Sequence, residues 1–406
     1  MERATEPVFY ELDPCGDISL TLNESNVEYE DDEDFYTLPA LPTQEEAKRT
    51  YTETFGYHSF LPLGSKTGRT GAGNDRWPVE GDLHEGSDTQ ESPARDDKHE
   101  EKDIQEEHAT EPPPIRFRVS SKHLTLASPL FAMMLKPTWA EGVALNSQGA
   151  AEISALSSTR ESLLVYLNAI HCRSQDIPWD ISASQMCETA VLVDYYQSHD
   201  ALRFYFDTWI KNQIGLRPGE LSRDSIKWLF ISWVFKKGDM FTSVARILQR
   251  EAKAPLKVSK LPIPEKVIGK GEDENALQIP ISVLNAVIDR INQSREASIG
   301  ALIEGLHKIL DEIRGDHKWC SFDCNTFSLR ATLMNYMSWG IYSRPPPPYQ
   351  GYSFSRLSTS LRYAEIPDPY KSNGVLPHRC RIESAISSLI SNAESSISDL
   401  KLQDFS

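Results

Sequence analysis

The spacing of apolar positions changes along the chain, and the changes mark out its elements. From Gly16 to Asn23 the order GDISLTLN alternates, with Ile18, Leu20 and Leu22 on one face. Ile115, Phe117 and Val119 alternate in the same way with Arg116, Arg118 and Ser120. A lone strand does not stand by itself in water. The two segments are therefore expected to pair, leaving what lies between them as an outsized loop. Ala151–Leu156 (AEISAL) is a further short strand candidate.

Helical spacing takes over elsewhere. Ser121 is placed to cap a helix carrying Leu124, Leu126, Leu130, Phe131 and Met134. Arg160–His171 repeats Leu163, Leu164, Leu167 and Ile170 at helical intervals. Further helices are expected near residues 182–197, 199–214, 222–236 and 239–251, and the proline-containing stretch 252–279 reads as a linker. From Ile281 to Ile313 a long helix, with a candidate break at Gly300, lines up Ile299, Leu302, Ile303, Leu306, Ile309, Leu310 and Ile313. Such a stripe serves either an oligomer seam or the chain's own core, and a single stripe of this width favours the core. The tetraproline Pro345–Pro348 has two readings, a rigid spacer or a ligand for an SH3-like or WW-like partner, of which the spacer is preferred. No repeat of solenoid or propeller period occurs.

The fold class expected from this pattern is α+β and mostly helical. Residues 10–22 and 115–212 form a first domain, 213–262 a helical extension, and 280–406 a C-terminal helical domain. Composition adds the character of the interruption. Residues 1–114 hold 29 acidic against 9 basic residues, a net of −20, while the rest has 30 acids and 33 bases, a net of +3. Residues 23–114 are poor in aliphatic side chains, so burial there does not offset ordering entropy, and a disordered acidic insertion is predicted. The run EYEDDEDFY (Glu28–Tyr36) reads as a solvated charge run in preference to a linear motif for a basic groove. GSKTGRTGAG (Gly64–Gly73) is not a phosphate loop, because the earlier glycine, the preceding strand and the following helix are all missing.

The charge balance also bears on partners. A nucleic-acid surface needs a concentrated basic patch, so no nucleic acid is expected. Acids and Pro14 stand where a signal peptide needs an apolar run, and no stretch reaches the roughly 18–20 apolar residues of a membrane span. Six cysteines in 406 residues do not make a disulfide scaffold. The expected location is intracellular, in the cytoplasm, the nucleus or both, with no membrane partner.

For site chemistry the best candidate is Cys320-x₃-Cys324 together with His378-x-Cys380. Three thiolates and an imidazole make a candidate tetrahedral set for a structural zinc. The other readings are ordinary buried cysteines or a disulfide, which a reducing compartment disfavours. Cys15, Cys172 and Cys187 have no partner pattern and are expected to pack as small hydrophobes. Nothing supports nucleophilic catalysis: no G-x-S-x-G elbow occurs and no histidine sits in a triad signature. Asp194, Asp200 and Asp207 read as caps and surface charges, and His171, His199 and His307 as core or solvated residues.

FRVSSKHLTLASPLFAMML (Phe117–Leu135) followed by TWAEG (Thr138–Gly142) resembles the BTB/POZ domain. That domain reads as a strand, a polar helix start, and leucines ahead of a Ser-Pro-x-Phe segment, places taken here by Leu124, Ser128, Pro129 and Phe131. Glu141 and Gly142 match its acidic-glycine step, and Asp17 its acidic strand position. LLVYLNAIH and Thr189–Ile210 resemble its later helices. The group common in filamentous fungi is the most similar, through Lys227–Phe241 and the Cys-Ser-Phe-Asp-Cys segment as well. Departures are Ser120, where many members carry histidine, the insertion that splits the first hairpin, and the lack of kelch, MATH or zinc-finger modules.

The resemblance implies a non-catalytic module, a homodimer that recruits a further protein, and in its concrete form a substrate adaptor for a cullin-type ubiquitin ligase. Trp139-Ala140-Glu141 matches the hydrophobic-x-Glu step that meets the cullin in such adaptors. The other reading is that Trp139 packs on the helix cluster and Glu141 is merely solvated. The alternative function is a nuclear regulatory scaffold whose acidic insertion contacts basic proteins.

Overall fold

The computed structural model describes residues 8–23, 114–213, 219–257, 261, 281–315, 322–364 and 381–405. The predicted acidic insertion and most of the predicted linker lie outside them.

The two alternating segments form strands β2 (Ile18–Leu22) and β3 (Ile115–Val119), paired antiparallel with Leu20 opposite Phe117. Two parallel partners complete the sheet. β1 (Phe9–Glu11), which the sequence pattern did not announce, lies against β3, and β4 (Ala151–Ser154) lies against β2. The order is β1-β3-β2-β4. Alternation gives the sheet two unlike faces. Ile18, Leu20, Leu22, Ile115, Phe117, Val119 and Ile153 are buried on one, while Arg118–Glu11 and Arg116–Glu152 pair on the other at 3.2 and 3.9 Å.

Past β3 the predicted single helix is two: α1 (Ser121–Ala127) and α2 (Pro129–Met134). Pro129 has no N–H to continue α1, and Ser128 is extended, its hydroxyl accepting from the Phe131 amide at 3.1 Å. The cap of α1 is Ser120 rather than Ser121. Leu126, expected on the buried face, is 89 % exposed. Asp17 fastens the start of α1 by accepting from both the amide and the hydroxyl of Ser121, each at 2.7 Å. Burial pushes the Asp17 carboxyl up, but those bonds outweigh it and hold the group below its ordinary value.

α3 (Ala140–Gln148) leads into β4. The helices α4 (Arg160–Ile170), α5 (Ala183–Tyr195), α6 (His199–Asn212), α7 (Ser225–Val234) and α8 (Gly238–Glu251) follow, close to their predicted places. α7 reads WLFISWV and is buried on every side, as an apolar helix must be in water.

Helix α9 (Ile281–Arg314) runs unbroken through Gly300 for 34 residues, about 50 Å. Its first half gives Leu284, Val287, Ile288 and Ile291 to the core around the sheet. Ile299, Leu302, Ile303, Leu306 and Leu310 face a second core built with α10 (Phe322–Ser338), α11 (Phe354–Arg362) and α12 (Arg381–Ser395). The apolar stripe is thus interior and not a seam for a second copy. Between the two sets lies Arg295, 1 % exposed. Its guanidinium donates to the carbonyls of Ala252, Pro348, Tyr349 and Tyr352 at 2.7–2.9 Å. Burial lowers its pKa to about 10, so it stays cationic at neutral pH. The tetraproline is thereby fastened to α9, and Tyr349 behind it is buried.

Among the described residues no helix is long and apolar enough to cross a membrane.

Candidate functional site

The residues expected to meet a partner sit on the corner between α2 and α3. The base of this corner is fixed from below. Ser128 caps α2 and donates its hydroxyl to the Tyr196 carbonyl. Phe131, one turn on, stacks against Tyr196 with centroids 4.5 Å apart. The Tyr196 hydroxyl accepts from the Leu156 amide at 2.9 Å, tying α5 to the segment after β4. Burial pushes the phenols of Tyr196 and Tyr166 far above their ordinary value, so both stay neutral and hydrogen-bonded.

On this base the chain turns sharply. The Leu135 amide closes α2 on Phe131, the Lys136 amide bonds to Met133, and the Trp139 amide bonds back to Lys136 at 3.0 Å. The Trp139 carbonyl then accepts from Val143, which starts α3. Trp139 is 38 % exposed and Val143 52 %. Glu141 lies in the first turn, where the helix dipole favours a carboxylate. Among the described residues, Glu141 has no ion pair or hydrogen bond and the Trp139 indole N–H has no acceptor. An exposed aromatic beside an unpaired charge on a rigid corner has the character of an interaction hot spot.

The candidate zinc set falls mostly outside the described residues, which include Cys324 but not Cys320, His378 or Cys380. Cys324 is buried on α10 with Ile309, Ile313 and Ile382 around it, its sulfur 3.9 Å from the Ser328 hydroxyl. Among the described residues no group of three or more His, Cys, Asp or Glu side chains is placed to hold a metal. Of the remaining cysteines, Cys187 is buried as expected, whereas Cys15 and Cys172 are exposed. Both occupy turns, Cys172 with φ +58, and a turn offers no apolar wall to pack against.

Three of the described histidines bond within the fold. His307 contacts the Ile341 carbonyl at 2.7 Å inside the second core. His171 ends α4 and reaches under the sheet, its Nε2 accepting from the Ser120 amide at 3.1 Å. Nδ1 must then carry the proton, which it donates to the Leu167 carbonyl at 2.9 Å. His199 faces Asp194 at 3.3 Å, and no hydroxyl or thiol among the described residues bonds to this pair. An open groove of about 900 Å³ runs between α7, α8 and the C-terminal turn, lined by Trp233, Lys236, Asp239, Thr242, Lys401 and Phe405.

Two features escaped the sequence pattern. Gly142 was noted only as part of a motif, and Arg295 resembled one more surface charge on an amphipathic helix. The signal for Arg295 was its position, four residues after Ile291 and four before Ile299, in line with the apolar stripe. No family model, curated protein or solved structure matches the chain.

Proposed function

We propose that the chain is a non-catalytic protein-interaction module of the BTB/POZ type, which associates with itself and recruits a partner. In its concrete form it is a substrate adaptor for a cullin-type ubiquitin ligase. The observation that carries this reading is the corner at Trp139, where a half-exposed indole and an unpaired carboxylate stand on a turn pinned by Ser128 and Tyr196. The order of elements supports it too: a strand pair, a short helix, a Ser-Pro-capped helix, the helix α3, a further strand, then helices.

A pull-down of the cullin N-terminal domain from the same species, with wild type and Glu141→Lys, tests the adaptor role. Binding that the substitution abolishes is the expected result. A folded wild type that captures no cullin overturns the adaptor role, and sedimentation of a pure monomer at micromolar concentration overturns self-association.

A second reading rests on the net charge of −20 in residues 1–114. In it, the acidic segment of a nuclear scaffold meets basic proteins. Deleting residues 23–114 separates the two, since cullin capture survives the deletion and contacts with basic proteins do not.

A further inference from the structure

We infer that Gly142 is the positioning residue of the Trp139 corner, and that the face it presents is Trp139, the N-cap of α3, and Val143 in the first turns of that helix, with Glu141 at their flank. For the partner's identity this rests on the adaptor reading; for the geometry it does not. A Cβ built on Gly142 would lie 1.9 Å from the Lys136 carbonyl oxygen, 2.4 Å from its carbon and 2.7 Å from the Leu135 oxygen. These are backbone atoms, so no side-chain rotation makes room, and any residue other than glycine must push α3 away from the end of α2. The Lys136 oxygen is also the acceptor for the Trp139 amide. Displacing it opens the turn that sets the direction of the indole.

The same close approach sets which side of α3 faces outward. Gly142 is buried, and its carbonyl accepts from the Asn146 side chain at 3.0 Å. Trp139 and Val143, four residues apart, then share the outer face. An apolar pair next to a carboxylate that no cation among the described residues meets calls for a partner of complementary chemistry: an apolar cleft that admits an indole and a valine, edged by a lysine or arginine. Gly142 makes no contact with that partner and acts only through the turn.

The test uses the full chain with its tryptophans replaced by fluorotryptophan, the Trp139 fluorine resonance being assigned through Trp139→Phe. Gly142→Ala is expected to move that resonance while the other tryptophan resonances hold still, and to weaken binding of the recombinant cullin N-terminal domain at least about tenfold. Val143→Ser, which leaves the turn itself closed, weakens binding about threefold to tenfold. Gln148→Ala, exposed at the far end of α3, changes neither. A Gly142→Ala protein with the wild-type resonance and wild-type affinity overturns the inference. Should Gly142→Ala not fold, Val143→Ser decides, and unchanged affinity in that variant overturns the proposed face. A wild type that binds no cullin overturns the adaptor reading, and a resonance displaced by Gly142→Ala still upholds the positioning role.

Discussion

The corner around Arg295 and the corner around Trp139 are both tight turns of chain packed on a helix, yet they treat polar groups in opposite ways. At Arg295, four of the five guanidinium N–H groups are committed to backbone carbonyls, and the side chain is almost wholly out of water. At Trp139, the carboxylate of Glu141 and the indole N–H have no partner among the described residues, and the indole is left partly in solvent. A buried charge is tolerated only when its hydrogen bonds are met inside, because the cost of leaving them unmet falls on folding. An exposed one is free of that demand and is available to another molecule. The first corner joins the two cores through α9; the second keeps its base in the fold and leaves an indole and a carboxylate at its surface.

Removing the guanidinium is the most damaging way to break this comparison. Arg295→Met leaves four carbonyls without their donor at the junction of the two cores and is expected to cost about 3–5 kcal/mol. A denaturant titration read by circular dichroism would show it as a lower midpoint. Arg295→Lys recovers only part of the loss, since an ammonium cannot reach acceptors spread across a planar fork. A midpoint within error of wild type would mean that the Pro345–Pro348 loop is held by something other than Arg295.

Next in size is the base of the Trp139 corner. Ser128→Ala removes a helix cap and the bond to the Tyr196 carbonyl together, and is expected to cost about 1–3 kcal/mol. Ser128→Asp keeps an acceptor for the Phe131 amide but sets a carboxylate against the Tyr196 carbonyl. It is therefore expected to be no better than alanine, and the order of the two melting temperatures checks this.

These residues also mark how far sequence could be read. The β2–β3 pair and the helices beyond Arg160 were legible because period two and period 3.6 dictate which side chains leave water. Splitting of the helix at Ser128–Pro129 was legible in principle, since proline lacks the N–H, but the run of leucines masked it. β1 was not legible: three residues with Phe9 56 % exposed and Tyr10 stacked on Phe117 carry no alternation to detect. Arg295 and Gly142 were hidden for a different reason. What they do depends on backbone atoms of other segments, Ala252 and Pro348 to Tyr352 for one, Leu135 and Lys136 for the other. No local spacing encodes those approaches. The Trp139-x-Glu141 pair was legible as a motif, whereas its lack of an internal partner was visible only in the fold.

A smaller and pH-dependent effect comes from His171. Burial, with the neighbouring His123 ring adding to it, holds its pKa below the ordinary imidazole value against the pull of the Leu167 carbonyl and Asp13. The unfolded chain therefore takes up this proton at a higher pH than the folded one. The contribution is complete above the ordinary value of about 6.5 and is lost as pH falls through that value towards the folded one. Protonating Nε2 also removes the acceptor for the Ser120 amide at the entry to α1. His171→Gln keeps an acceptor and does not titrate, so urea midpoints between about pH 7.5 and about pH 5.5 are expected to fall less steeply than in wild type. Parallel slopes would assign the acid sensitivity to other groups.

The smallest expected effect is the one that sharpens the comparison most. Glu141→Gln removes a charge that no group among the described residues uses, and Trp139→Ala a side chain whose N–H has no acceptor among them. Glu141→Gln is expected to shift folding stability by close to zero apart from its share of the helix dipole, whereas Trp139→Ala, which gives up the covered part of an indole 38 % exposed, costs about 1–3 kcal/mol. On the adaptor role proposed above, Glu141→Gln is expected to lower affinity for the cullin domain by more than it lowers stability, whereas at Arg295 the order is reversed. If Glu141→Gln instead lowered the melting temperature as much as Ser128→Ala, the carboxylate would have an intramolecular role, and the Trp139 corner would belong with Arg295 as part of the frame.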